Sequence, residues 1–344
     1  MKRLGNLFDR IISIENLRLA DQRARKGKLN TYGVKVHDRH AEENLLALHE
    51  VLKSGTFKTS EYNTFIIYEP KEREIFRLPY FPDRIVHHAI MNILEPVWVS
   101  IFTADTYSCI KGRGIQAAAD KLRRVIDRDK PGCSYCLKID IRKFYPSIDH
   151  AILKRLVRRK IKDTRLLRLL DEIIDSAKGL PIGNYLSQFL ANLMLAYFDH
   201  WVKEAKRVRY YFRYADDIVV LHHDKKYLRA LLADFERYLD TGLNLRVKDN
   251  KQVFPVAKDH KDRHGRGIDF LGYVFYHNET RLRKRIKQNF CRKVARLRKR
   301  KKPIGKAQFK QAVAAWWGWA KHSDCEYFIN KLNKIAPYEI KFGR

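Results

Sequence analysis

The sequence predicts an α+β fold, with a ferredoxin-like, split βαβ sheet in the middle of the chain, helices before it and a basic helical segment after it. Two observations carry that expectation. Between Cys136 and Val247, strand-like and helix-like stretches alternate in the order β, α, β, β, α, β. In addition, 45% of the 344 residues are apolar, enough for a packed core across one large or two to three small subdomains. No internal repeat and no linker rich in proline, glycine or serine interrupts the chain, so the subdomains are expected to be contiguous.

Residues 1–60 read as a helical extension, in which Leu45, Leu46, Leu48, Val51 and Leu52 have helical spacing. The run from Thr64 to Pro70 is β-rich and is stopped by its proline. After Asp83 a helix is expected over RIVHHAIMNILEP, ended by Pro96. CLKIDI, Cys136 to Ile141, reads as the first strand of the sheet, followed by helical DHAILKRLVRR. A second helix begins near Ser187, where Leu190, Leu193, Met194, Tyr197, Phe198 and Trp201 form a core-facing stripe. VRYYFRY and IVVLHH are two strands separated by ADD, the spacing of a hairpin. Leu228, Leu231, Leu232, Phe235 and Leu239 mark an amphipathic helix, and LNLRV, Leu243 to Val247, is expected as the last strand. Over Arg281 to Lys302, 13 of 22 positions are Lys or Arg, with Ile286, Phe290, Val294 and Leu297 at helical spacing. That segment is predicted to be a helix with one apolar face and a phosphate-gripping remainder.

Against 39 acidic residues stand 71 basic ones, for a formal charge of +32 and a pI of about 10.0. Such an excess repels itself unless a polyanion neutralises it, so nucleic acid is the expected partner. The five cysteines have no framework spacing and fit a reducing compartment. Cys133 and Cys136 form a CxxC without a second ligand pair at zinc-finger spacing, and they read as buried strand thiols. No apolar run approaches the roughly 18 residues of a membrane helix, and the start MKRLGNLFDR lacks a signal-peptide core. A cytoplasmic protein with no membrane partner is expected.

Two carboxylate sites carry the chemistry. They are Asp140 in KIDIRKFYPSID, and Asp216 with Asp217 in YADD. An Asp pair is also common in polar turns. Here, however, it is flanked by aromatic residues between two apolar strands, and the sheet order brings the end of the first strand beside the turn. Carboxylates on adjacent strands can hold two divalent ions about 4 Å apart, the clamp that phosphoryl transfer from a nucleoside triphosphate requires. Mg²⁺ prefers such oxygen ligands to any Cys/His set in this chain, and Mn²⁺ can substitute.

At this point the sequence resembles the reverse transcriptases, in a colinear series of motifs over nearly its whole length. YADD resembles the family's most specific signature, FLGY (Phe270, Leu271, Gly272, Tyr273) its primer-grip turn, and GLNLRVKDNK the motif between them that ends in a lysine. YEPKEREIFRLPYFPDRIVHHA and TYSCIKGRGIQAA resemble the fingers of the group II intron-like branch, and AAWWGWAKHSDC resembles that branch's thumb. The resemblance implies a right-hand polymerase. It places fingers at 61–134, with part of 150–185 returning to them, a palm at 135–275 and a basic helical thumb at 276–344. It implies metal binding by Asp140, Asp216, Asp217 and the Ile141 carbonyl. Tyr145 corresponds to the gate that screens the sugar 2′-OH, and Lys71 and Arg73 to the cations that hold the triphosphate, with Arg77 as the alternative to Arg73. Lys251 is the candidate proton donor to the leaving pyrophosphate, with Lys248 close by.

GLPIGNYLSQ, Gly179 to Gln188, narrows the resemblance. Most members carry Gln-Gly before, and Ser-Pro after, the short spacer of this motif, which packs beneath the incoming nucleotide and template base. Here Ile182, Gly183, Ser187 and Gln188 stand in those places. The IGxxxSQ form is similar to the diversity-generating retroelement subgroup, whose enzymes copy a template RNA into cDNA with errors at adenines and work with a small basic accessory protein. Replacing a hydrogen-bonding side chain by an aliphatic one relaxes base discrimination by a few kcal/mol at most. Ile182 as simple packing is the plain alternative. The chain stops after the thumb-like helices, so no RNase H, integrase or HNH domain is expected. A defence-associated or retron-like reverse transcriptase, a non-catalytic RNA-binding protein and a nucleotide cyclase are the competing expectations.

Overall fold

The computed structural model describes residues 3–68 and 72–341. In chain order it contains α1 (Phe8–Ile12), α2 (Ile14–Ala24), α3 (Tyr32–His37), α4 (Ala41–Ser54), β1 (Asn63–Ile67), β2 (Arg73–Arg77), α5 (Ile85–Val99), β3 (Thr106–Tyr107) and α6 (Ile115–Arg128). There follow β4 (Tyr135–Asp140), α7 (His150–Arg158), α8 (Thr164–Asp175), α9 (Tyr185–His200), β5 (Tyr210–Tyr214), β6 (Asp217–His222), α10 (Lys225–Arg237) and β7 (Gln252–Pro255). The last part holds β8 (Ile268–Phe270), β9 (Tyr273–Phe275), β10 (Thr280–Leu282), α11 (Lys284–Arg298), α12 (Lys306–Ala320) and α13 (Glu326–Asn333). Two compact units interleave along the chain. One is formed by the residues up to Cys109 with 141–207 and 235–247, the other by 110–140, 208–234 and 248 onward.

The first unit is mainly helical. Its start is fixed by Asp163, which accepts backbone N–H bonds from Leu7 (2.8 Å) and Phe8 (3.0 Å) and also caps α8 through Leu166. Those donors hold the Asp163 carboxyl below its ordinary range despite burial. Helix α5 packs on α2, where the buried Asn16 amide donates to the Ala89 carbonyl at 3.0 Å. Helix α9 is apolar on almost every side, although Tyr197 and Trp201 of the expected stripe are only half-buried. A two-stranded antiparallel hairpin, β1–β2, carries Arg73 and Arg77 on exposed positions.

In the second unit the sheet runs β5–β6–β4–β7, all antiparallel, with β6 and β4 adjacent at its centre. A smaller sheet, β8–β9–β10, leads into the three C-terminal helices. Helix α6 ties to that sheet through Arg123, whose guanidinium donates to the carbonyls of Tyr276 (2.7 Å) and His277 (2.8 Å). The basic helix expected at Arg281 to Lys302 is α11, with Phe290, Val294 and Leu297 buried.

Two expectations need correction, and one helix lies outside them. Helix α5 does not end at Pro96 but runs to Val99, because the proline forfeits only its own N–H bond in the last turn while Trp98 is fully buried beyond it. Leu243 to Val247 is not a strand. Val247 makes a single bridge to Ile141, and a Lys248–Lys251 turn, closed by a Lys251 N–H to Lys248 carbonyl bond of 3.2 Å, delays the ladder with β4 until Gln252. Between the expected helices, α8 was unanticipated, although Leu166, Leu169, Leu170, Ile173 and Ile174 bury one face of it.

Candidate active site

The two carboxylate motifs meet at the centre of the second unit's sheet. In the β4–β6 register Asp140 lies opposite Asp217, and in the β5–β6 register Tyr214 lies opposite the same Asp217. Antiparallel partners have Cα atoms roughly 4.5–5.5 Å apart, so the two acids are neighbours across adjacent strands. Ala215 and Asp216 form the two-residue turn between β5 and β6. Ala215 is left-handed (φ +53°), a conformation that costs a non-glycine residue free energy, and the buried Arg213 guanidinium donates to its carbonyl at 3.0 Å.

Burial, and after it neighbouring charge, raises the proton affinity of Asp216 and Asp217. Burial, then the charge of Asp140, pushes the Asp216 carboxyl up to about 6, and burial raises Asp217 as well. Lysines offset part of that charge. Lys248 donates through its ammonium to Asp140 Oδ1 and through its backbone N–H to the Asp140 carbonyl at 2.8 Å. Lys138 Nζ lies 3.3 Å from Asp217 Oδ1 and also donates to the Asp269 carbonyl. Even so, the buried Asp217 Oδ1 accepts no hydrogen bond. Asp269 is itself held by Arg283, whose Nε donates to Oδ1 at 2.8 Å.

FLGY forms the tight turn between β8 and β9, with Phe270 paired to Tyr273 and both fully buried. Leu271 (φ +52°) and Gly272 (φ +83°) are both left-handed, as a two-residue hairpin of the type I′ kind demands. A Cβ on Gly272 would meet Trp319 Cζ3 at 2.5 Å and Ile286 Cδ1 at 2.7 Å, and Tyr273 Oη donates to the Trp319 carbonyl at 3.2 Å. The turn is thus seated on α12. Lys251 is exposed on the turn before β7, and the ammonium of Lys248, at the start of the same turn, reaches Asp140.

The remaining sequence-predicted residues belong to the first unit. Tyr145 opens a short 3₁₀ turn, and its carbonyl accepts from the Leu180 N–H at 2.9 Å. The Ile182 carbonyl accepts from the Phe76 N–H of β2 at 2.8 Å. Gly183, at φ +127°, brings its backbone so near Phe76 that a Cβ would stand 2.5 Å from the Phe76 carbonyl oxygen. The GLPIG motif and the Arg73–Arg77 strand are therefore one assembly. Gln188 is exposed on the first turn of α9, and Ile141 is buried. Lys71 lies outside the described residues.

Residues 70–275 match the family model described as reverse transcriptase (RNA-dependent DNA polymerase). The chain belongs to this family. As a reverse transcriptase it is homologous to group II intron-encoded proteins. It is 25% identical to the group II intron-encoded protein LtrA of Lactococcus lactis over 49% of this chain and 30% of LtrA. It is likewise 26% identical to nuclear intron maturase 4, mitochondrial, of Arabidopsis thaliana, over 50% of this chain and 23% of that protein. Protein YkfC of Escherichia coli is 25% identical over 62% of this chain and 67% of its own length. The chain thus spans less than a third of the two intron-encoded relatives. Among solved structures, apo telomerase from Candida tropicalis superposes with a TM-score of 0.51 at 10% identity, covering 86% of this chain and 61% of that one, which supports the right-hand polymerase fold.

Reverse transcriptase domains use divalent ions such as Mg²⁺, and the donors here fit one. They are three carboxylates with no competing sulfur or imidazole, one buried oxygen without a hydrogen bond, and an Asp216 proton affinity raised by burial and then by the charge of Asp140. Among the described residues no three such groups stand arranged around an ion as they are, and two of the three carboxylates are turned to lysines. Sequence reasoning missed Lys138 and Arg213. Lys138 alternates with Asp140 along β4, the one signal that could have placed both on one face. No helix among the described residues is long and apolar enough to cross a membrane. Cys136 is buried in β4 and Cys133 in the turn before it, and burial pushes the Cys133 thiol up to about 12.

Proposed function

We propose that this reverse transcriptase copies a template RNA into cDNA by two-metal-ion nucleotidyl transfer, with errors concentrated at template adenines, as the enzyme of a diversity-generating retroelement. The facing of Asp140 and Asp217 across adjacent strands, with Asp216 on the adjoining turn, carries the catalytic half of this reading. Asp140, Asp216, Asp217 and the Ile141 carbonyl hold two Mg²⁺ ions, for which Mn²⁺ substitutes. Bound there, the ions supply Lewis-acid stabilisation of the attacking and leaving oxygens. The primer 3′-hydroxyl gives up its proton to solvent as its oxygen bonds to the α-phosphorus of a dNTP, the bond from that phosphorus to the pyrophosphate oxygen breaks, and Lys251 protonates the leaving pyrophosphate. Lys71 and Arg73 hold the triphosphate, Tyr145 screens the sugar, and FLGY grips the primer. In functional terms, residues 1–60 are an N-terminal extension, 61–134 with part of 150–185 the fingers, 135–275 the palm and 276–344 the thumb. A small basic accessory protein completes the partner set.

The aliphatic Ile182 supports the error-prone half, because it stands where most of the family carries glutamine, beside the Gly183 that locks the motif onto β2. The test is extension of a primer on a defined RNA template with Mg²⁺ and dNTPs, followed by sequencing of the cDNA. Asp216→Ala with Asp217→Ala should lower extension by at least about 10³-fold, about 4 kcal/mol, and leave RNA binding intact. Continued polymerisation by the double variant would overturn the assignment. Ile182→Gln should lower misincorporation opposite adenine by about tenfold. An unchanged error spectrum would remove Ile182 from the reading.

A further inference from the structure

Helix α12 has two working faces. One carries Trp319, whose ring lies 5.3 Å from that of Tyr273 and which closes over Gly272. Two residues earlier, about 200° around the helix, Trp317 faces elsewhere. Lys306, Lys310, Val313, Ala314 and Trp317 recur at helical spacing and line one wall of a cavity of about 510 Å³. The opposite wall is Tyr338–Lys341. It is held by the Tyr338 Oη bond to the Ile304 carbonyl (2.9 Å) and by two bonds between Asn333 and Ile340 (2.8 and 3.1 Å). Phe309 closes the floor, its ring 5.8 Å from that of Tyr338.

The chemistry of this cavity selects its occupant. Its interior is apolar and aromatic, while Lys306, Lys310 and Lys341 stand exposed around it with Glu339 as the one acid. An apolar peptide side chain would fill the interior but leave three ammonium groups without partners, and a basic protein would be repelled. A nucleotide satisfies both parts, its base against the rings and its flanking phosphates on the lysines. Glu339 offers an acceptor to an exocyclic amine. The volume lies within the roughly 300–1,000 Å³ of small-molecule sites. We propose that this face of α12 captures an unpaired nucleobase of single-stranded RNA, outside the carboxylate site and braced through α12 to the FLGY turn.

The proposal is independent of the catalytic roles, because its readout is binding. Affinity of the full chain for a labelled single-stranded RNA is compared with that for a blunt RNA–DNA hybrid of the same length. Ala314→Phe fills the cavity without deleting a core side chain. It should weaken single-strand binding at least about fivefold, the low end of the roughly 5- to 150-fold that one base–aromatic stack contributes, and change hybrid binding less than about twofold. Lys306→Gln with Lys310→Gln, both exposed and harmless to folding, should lower the salt slope of single-strand binding by about 1.4. Equal losses on both nucleic acids, or an unchanged single-strand affinity and salt slope in the lysine variant, would overturn the proposal.

Discussion

Replacing Gly272 by alanine tests whether the FLGY turn is seated on α12. The backbone there has φ +83°, where an L-residue costs about 1–2 kcal/mol. The added methyl would also sit 2.5 Å from Trp319 Cζ3 and 2.7 Å from Ile286 Cδ1, well inside carbon–carbon contact distance. The end of Ile286 can swing aside. Trp319 cannot readily do so, because its ring packs on Tyr273 and its carbonyl accepts the Tyr273 hydroxyl. Overpacking of this kind costs about 1–3 kcal/mol, so the total loss should be about 2–5 kcal/mol. Leu271→Gly, one residue away, is the control. It relieves a left-handed leucine (φ +52°) and adds chain entropy to the unfolded state, two effects of about 1 kcal/mol that oppose each other. Urea unfolding followed by tryptophan fluorescence separates the two. A Gly272→Ala variant within about 0.5 kcal/mol of wild type would refute the packing argument.

Asp216 gives a pH prediction whose sign follows from its raised proton affinity. A carboxyl held at about 6 in the folded protein and near 3.9 unfolded contributes stability that is fully present below pH 4 and lost as pH rises through 6, about 2–3 kcal/mol in all. Asp216→Asn should therefore stabilise the metal-free protein at pH 7.5 but not at pH 4, and equal urea midpoint shifts at the two pH values would contradict this. Lys138→Met removes the cation beside Asp217 Oδ1, so the metal-free protein should melt lower and gain more from saturating Mg²⁺ than wild type does; a smaller gain would show that Lys138 does not compete with metal. Gly183→Ala forces a Cβ to 2.5 Å from the Phe76 carbonyl at φ +127° and should cost about 2–5 kcal/mol, with a loss below about 1 kcal/mol counting against the link between the GLPIG motif and β2.

The acids were legible because their evidence is local. A strand ending in Asp140 and a hairpin with two acids at its turn fix, through period-two alternation and pairing, which side chains face one another. The lysines were not legible for the opposite reason. With 71 basic residues, nothing local distinguishes Lys248 from Lys251. What selects Lys248 is its backbone N–H bond to the Asp140 carbonyl, a pairing set by the turn that postpones β7. The same turn explains the misplaced strand. LNLRV has a strand's composition, but the polar KDNK stretch bends the chain away, and the ladder resumes only at Gln252. Pro96 misled through a rule that holds for helix interiors and loosens in a final turn anchored by a buried tryptophan.

Those lysines change how the site's charge should be understood. The chain as a whole carries +32, yet at the β4–β6 junction three carboxylates face two ammonium groups, and Asp269 is neutralised by Arg283. Asp216 is paired with neither ammonium, and burial, then the charge of Asp140, raises its proton affinity. Without metal the junction is thus nearly neutral and held together by internal ion pairs. Two divalent ions would add four positive charges, displace Lys138 and Lys248 from their carboxylates and leave the site strongly attractive to a triphosphate. Metal loading and nucleotide binding are on this account coupled through the two lysines. Nucleotide affinity should then depend on Mg²⁺ more steeply in wild type than in a protein lacking both.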